Sequence, residues 1–171
     1  MGGRRGLRVV PPDPRYVGVR VDNNFFDDSL DDVERSAADA IMQLAIDMKL
    51  LIAIPHTVRK ELDNPRTPRS ARERANQLVY TLDTGMGDPA ALAKVASIMR
   101  GNALPGKHAA DAAHLYDTAI WQAGYFVTCD RRVLQKATQL VAVIGQLWIV
   151  KPSELMVIYN QYVRADPAGE I

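Results

Sequence analysis

The sequence predicts one α/β domain, a central parallel β-sheet flanked by helices on both faces. Short β-branched or apolar runs alternate with longer stretches whose apolar residues recur at three- and four-residue steps. Strands joined by helical crossovers lie parallel and are covered on both sides. With 171 residues, 47% of them hydrophobic, the chain is long enough for one buried core and short for two. Neither an internal repeat nor a linker divides it.

The elements follow in order. Residues 1–15 hold three Gly, four Arg and three Pro without periodicity, and read as a flexible basic tail before a domain spanning 16–164. Residues 165–171 read as a C-terminal tail. YVGVRV (16–21) is the first strand, ended by Asp22. Asp28 or Ser29 is expected to cap a helix with Leu30, Val33, Ala37, Ile41, Leu44 and Met48 on its buried face. Asp31, Glu34, Arg35 and Asp39 would line its solvated face. LLIAI, ending at Ile54, is a second strand closed by Pro55, and Thr57 is expected to cap a short helix that carries Glu61 and stops before Pro65. Arg66, Arg69, Arg72 and Arg74 lead into a helix running to about Tyr80. Asp88 and Pro89 form a cap and first helical position for a helix ending near Gly101. After NALPGK, a helix holds Asp111 and is ended by Gly124. YFVT (125–128) is a third strand. A helical stretch from Arg131, the strand LWIV (147–150) and a helix from about Pro152 complete the pattern.

A formal net charge of +1 favours no partner class, so nucleic-acid affinity would have to come from local clusters. One cysteine, Cys129, excludes a disulfide within the chain, fits a reducing compartment and is read as packing. No apolar run approaches the roughly 20 residues that span a bilayer, and the basic N-terminus lacks a signal peptide's apolar stretch. A cytoplasmic protein with no membrane attachment is expected.

Four acids stand where a strand ends or a helix begins: Asp22, Glu61, Asp111 and Asp130. In one parallel sheet they would converge at the edge where α/β sheets bind ligands. Carboxylates without a Cys/His cluster suit Mg²⁺ or Mn²⁺ as counter-ion. Asn24, two residues beyond Asp22, shares its side in extended chain and could offer an amide oxygen. Asp117 lies about 240° around the helix from Asp111 and should face elsewhere. Each acid also has a plainer role: Asp22 in a turn, Glu61 in a surface ion pair, Asp111 against the helix dipole, Asp130 as an N-cap. His56, His108 and His114 share no metal-binding spacing and read as structural or surface residues, His114 standing one helical step from Asp111.

VDNNFFDD (21–28), IPHTVRKELDN (54–64), AADAAHLYDTA (109–119) and YFVTCDRRVLQKA (125–137) occur in the order found in PIN-domain ribonucleases, which include the toxins of toxin–antitoxin pairs. The chain resembles that family over about residues 16–158. Thr128-Cys129-Asp130 after a Gly-aromatic strand, and Asp22-Asn23-Asn24, carry most of the likeness. The resemblance implies a PIN-like fold and a metal-dependent endoribonuclease leaving 5′-phosphate and 3′-hydroxyl ends. Asp22, Glu61, Asp111 and Asp130 would be its metal-binding catalytic acids, with Asn24 and Thr128 as polar supports. Asn23 stands where the family more often has Thr or Ser and is expected to touch none of the acids. Arg59, Arg72, Arg131 and Arg132 are expected to meet RNA phosphates. The resemblance also implies a homodimer and an antitoxin partner with a basic tail. Three alternatives stand beside it. A haloacid-dehalogenase-type phosphatase needs Asp where Asn24 stands and a catalytic Lys. A PIN-fold module could bind RNA without cutting it. A flap-endonuclease-type DNA nuclease carries more acids.

Overall fold

Five short strands align in the computed structural model, which describes residues 9–85 and 87–169. They are β1 (Val19–Val21), β2 (Ile52–Ile54), β3 (Val79–Tyr80), β4 (Tyr125–Val127) and β5 (Trp148–Val150). All pair in parallel, in the order β3-β2-β1-β4-β5. Helices make the connections: α1 (Asp32–Ile46), α2 (His56–Leu62), α3 (Arg69–Ala75), α4 (Pro89–Arg100), α5 (Ala109–Ile120), α6 (Arg131–Gln135), α7 (Ala137–Ile144) and α8 (Pro152–Ala165). The α/β architecture expected from the alternating pattern is present, with helices on both faces of the sheet. Strand order reverses at β1, where β2 lies on one side and β4 on the other, so the switch point is at the end of β1.

Side chains alternate across the sheet with period two. Val19, Val21, Ile54 and Val127 pack with Ile41 of α1 and Leu155 of α8. Phe126 points the other way, into Val95 and Met99 of α4, Leu115 of α5 and Leu140 of α7. The two cores enclose β1 and β4 between them, and both strands deliver acids to the same edge.

Several local expectations are corrected. Asp31, not Asp28 or Ser29, caps α1, accepting from the Glu34 N–H at 3.0 Å. The helix is also rotated from the expected phase: Ala38, Ile41 and Met42 are buried, whereas Val33 is 67% and Met48 89% exposed. Glu34, expected in solvent, is buried because its carboxylate accepts from the Ser153 N–H (3.0 Å) and hydroxyl (2.6 Å) at the start of α8. Thr57 does not cap α2; its hydroxyl lies 2.9 Å from His114 Nδ1. The helix expected to reach Tyr80 ends at Ala75, and Val79–Tyr80 forms the edge strand β3 beside Ala53 and Ile54. Two exposed residues carry no period that could announce a strand. The stretch from Arg131 is two helices, broken at Lys136.

Helix α5 stops at Ile120, before Gly124. Gly124 is required for a different reason: a Cβ there would sit 2.6 Å from Val17 Cγ2, where β4 starts against β1. The tail boundaries also move. Residues 1–8 lie outside the described residues. Pro11 and Pro12 carbonyls accept from the Tyr162 and Tyr125 hydroxyls, and Arg15 pairs with Asp13 and donates to the Asp166 carbonyl. Packing therefore begins before Tyr16. At the other end α8 runs to Ala165 and a 3-10 turn covers Pro167–Gly169, while residues 170 and 171 are outside the described part. Among the described residues, no helix is long and apolar enough to cross a membrane.

Candidate functional site

Parallel register brings the first two acids together. Val21 lies opposite Val127, so the next residues, Asp22 and Thr128, stand side by side at the strand ends. The Asp22 N–H donates to the Val127 carbonyl at 3.0 Å. Asp22 is 2% exposed and its carboxylate is met from three directions. Oδ1 accepts from the Asn23 N–H at 2.8 Å, and Oδ2 accepts from the Thr128 hydroxyl at 2.8 Å and the Asn24 amide at 3.3 Å.

Thr128, fully buried, is the hub. Its hydroxyl donates to Asp22 and accepts from the Asp130 N–H (3.0 Å) and the Asn24 amide (3.2 Å), exhausting one donor and two lone pairs. Asp130 Oδ1 accepts from the Arg132 and Val133 N–H groups and caps α6, the simpler role expected for it. Asn24 does not present its amide oxygen to the site. That oxygen accepts from the Cys129 N–H at 2.9 Å, which ties the turn after β1 to the loop after β4.

Glu61 reaches the edge from α2, and the contact that fixes it involves the residue expected to touch no acid. The Asn23 amide donates to Glu61 Oε2 at 2.6 Å. Glu61 Oε1 lies 3.1 Å from His114 Nε2, and His114 Nδ1 faces the Thr57 hydroxyl. His114 is therefore neither a surface residue nor idle packing. Burial opposes its charge, but contact with Glu61 and the charges of Asp22, Glu61 and Asp111 outweigh burial and raise its pKa. Nδ1 is at hydrogen-bond distance from Thr57, whereas Nε2 approaches Glu61 at ion-pair distance without the geometry of a hydrogen bond. The signal was present in the sequence: His114 is three residues beyond Asp111, on the same side of α5.

Asp111 sits in the first turn of α5, with His108 Nδ1 at 3.4 Å from Oδ2. Burial raises its pKa, and the nearby charges of Asp130 and Glu61 add to that, against His114 and His108. Asp22 is pushed up to about 6, first by burial, with the Asp111 charge adding a little. His114, the Thr128 hydroxyl and the Asn23 N–H work in the opposite direction. The four acids thus share one electrostatic field. Asp117 belongs to a separate cluster, 2.9 Å from His56 Nδ1 and accepting from the Thr81 hydroxyl at 3.2 Å.

The donor set is carboxylate oxygen without sulfur, which fits a hard dication. In the arrangement described, however, no three His, Cys, Asp or Glu side chains among the described residues are gathered closely enough to hold a metal ion. The acids face one another across the edge without forming a finished ligand cage.

No family model, no curated protein and no solved structure matches the chain.

Around the edge, Arg131 and Arg132 open α6 directly after Asp130, Arg131 exposed and Arg132 half-buried. Arg59 and Arg72 lie together elsewhere, lining a cavity between α2 and α3. Burial pushes the Cys129 thiol up to about 12, which makes it unreactive and agrees with a packing role.

Proposed function

We propose that the chain is a metal-dependent endoribonuclease of the PIN type, using Mg²⁺ or Mn²⁺ at the edge formed by Asp22, Glu61, Asp111 and Asp130. The observation that carries this reading is the under-compensated field: four carboxylates share one edge, and the groups set against them are two histidines, His114 beside Glu61 and His108 beside Asp111. Asp22, Asp111 and Asp130 would hold the ion, with Glu61 joining after leaving His114 and Asn23. When bound, it would supply counter-charge to the acids and polarise a phosphodiester. The chain's own contribution is positional. Thr128 and Asn24 fix Asp22 relative to Asp130, while Asn23 and His114 restrain Glu61. Arg131 and Arg132 would hold the substrate's backbone phosphates beside the acids, giving salt-dependent binding with little sequence choice.

Labelled RNA incubated with and without Mn²⁺ tests the reading, beside the Asp22→Asn/Asp130→Asn double variant. Mn²⁺-dependent cleavage lost in the variant is expected; undiminished cleavage by it would sink the assignment. Homodimerisation and capture of an antitoxin with a basic tail belong to the same proposal. Light scattering tests the first, and competition of such a tail with Mn²⁺ tests the second.

A second reading is favoured by the absence of a gathered three-ligand group among the described residues: a PIN-fold module that binds RNA without cutting it. Calorimetric titration with Mn²⁺ separates the two. Binding that disappears in the double variant supports the nuclease, and no binding in the parent supports the module.

A further inference from the structure

On the far side of α2 from Glu61 lies a cavity of about 350 Å³ whose polar walls are Arg59, Asp63, Arg69, Arg72, Glu73 and Asn76. Glu61 and Arg59 are two residues apart, about 200° around the helix, so α2 separates the acidic edge from this basic one. Two of the three arginines are already engaged. Arg59 Nε meets Asp63 at 3.0 Å and its Nη1 donates to Asn76 at 3.0 Å, while Arg69 Nε meets Glu73 at 2.6 Å. Arg72 has no carboxylate partner among the described residues, and its Nε is buried with no hydrogen-bond acceptor. Three guanidinium groups against two carboxylates leave the cavity one positive charge in excess. A phosphate is the anion that best matches a guanidinium group with no carboxylate partner.

Beside the cavity, the Arg59 guanidinium lies over the Tyr80 ring, 5.2 Å from its centroid. Tyr80 ends the edge strand β3 and is 51% exposed. Tyr80 touches the cavity through Arg59, one of its walls, and Arg72 is another wall of the same cavity. An exposed aromatic and an unpaired arginine on one surface are what an unpaired nucleotide uses, a base on the ring and a phosphate on the cation. In a duplex the base faces are stacked inside and out of reach.

We propose that the α2–α3 cavity is a phosphate subsite for an unpaired RNA strand, with Arg72 receiving a backbone phosphate and Tyr80 stacking a neighbouring base. The subsite deepens the nuclease reading: it would hold the strand one helix width away from the acids. It also divides the labour among the arginines. Arg131 and Arg132 meet phosphates at the acidic edge, and Arg72 meets one beyond it.

The test is fluorescence anisotropy with the full chain in EDTA, using a labelled oligouridylate, its duplex with oligoadenylate and an oligoglutamate peptide. The oligouridylate should bind more tightly than the duplex. Arg72→Gln should weaken it about tenfold and lower the slope of log affinity against log salt by about one. Arg72→Lys, which keeps the charge but loses the fork, should fall between. Tyr80→Leu should weaken binding about tenfold with the salt slope unchanged, and Tyr80→Trp should restore it. Circular dichroism melting confirms that each variant is folded.

Folded Arg72→Gln binding the oligouridylate as the parent does would overturn the subsite. So would a parent that binds no oligouridylate, or Arg72-dependent capture of oligoglutamate in place of RNA. Mn²⁺-dependent hydrolysis of bis(p-nitrophenyl) phosphate by the parent, compared with Asp22→Asn, tests the catalytic reading separately. Arg72-dependent RNA binding without that hydrolysis leaves the subsite standing and removes the nuclease.

Discussion

Asp22→Asn should make the metal-free protein more stable above neutral pH and less stable in acid. Asp22 is 2% exposed, and its pKa rises from an ordinary 3.8 to about 6, chiefly through burial. At about 1.4 kcal/mol per pKa unit, the ionised side chain costs the fold about 3 kcal/mol. The sign follows from proton counting. Between these two pKa values the folded state keeps a proton that the unfolded state has released, so stability falls as pH rises through that window. Above it the cost is constant, and below it there is none. Asparagine removes this charge but supplies one oxygen where Asp22 uses two, for the Asn23 N–H and for Thr128 with Asn24. Losing one such acceptor costs about 1–2 kcal/mol at any pH. The variant should therefore gain about 1–2 kcal/mol at pH near 8, a rise of about 2–8 °C in Tm, and lose about as much near pH 3.5. Urea unfolding in EDTA at several pH values measures both. Equal destabilisation at all pH values would refute the reasoning, because Asp22 would then be a satisfied carboxylate with no need of a cation.

Three further substitutions test the scaffold by denaturant unfolding. Thr128→Val leaves Asp22, Asp130 and Asn24 without their shared hydroxyl and should cost about 2–3 kcal/mol, with Thr128→Ser recovering most of it. Glu34→Ala strands the Ser153 N–H and hydroxyl between α1 and α8, and should cost about 2 kcal/mol. Gly124→Ala drives a methyl to within 2.6 Å of Val17 and should cost about 1–3 kcal/mol, relieved by a simultaneous Val17→Ala.

The layers of the fold were legible because the sequence repeats them. Strands β2, β4 and β5 lie in apolar runs and β1 in a β-branched one, and most helices carry a cap or a breaker, such as Asp88-Pro89 at α4. What escaped was decided by contacts from distant parts of the chain. The phase of α1 turns on Glu34 reaching Ser153, 119 positions later, so a residue that looks solvated becomes buried. Strand β3 is two exposed residues defined by pairing to β2. Residues 11–15 look like tail because their composition has no period. Their anchors, Tyr125 and Tyr162, lie at the other end of the chain.

The same distinction runs through the acidic edge. Asp22, Thr128 and Asp130 could be placed from strand ends alone, because parallel register does the rest. Glu61 could not, since its position depends on Asn23 and His114, and although helical spacing joins His114 to Asp111, no spacing joins either residue to Glu61. The consequences differ acid by acid. Both Glu61 oxygens already face a partner, and so do both oxygens of Asp22. Asp130 uses Oδ1 for its cap and Asp111 turns Oδ2 toward His108, which leaves one oxygen on each without a protein donor among the described residues. These two acids also repel, Asp130 being the strongest charge that raises the Asp111 pKa. A cation gains most where free oxygens and unrelieved repulsion coincide, which is between Asp111 and Asp130. Completing its shell would mean drawing on Asp22, already costly as an anion, before breaking Glu61 away from His114. The protein holds two acids open and two latched, so a cation bound here as proposed would draw first on Asp111 and Asp130.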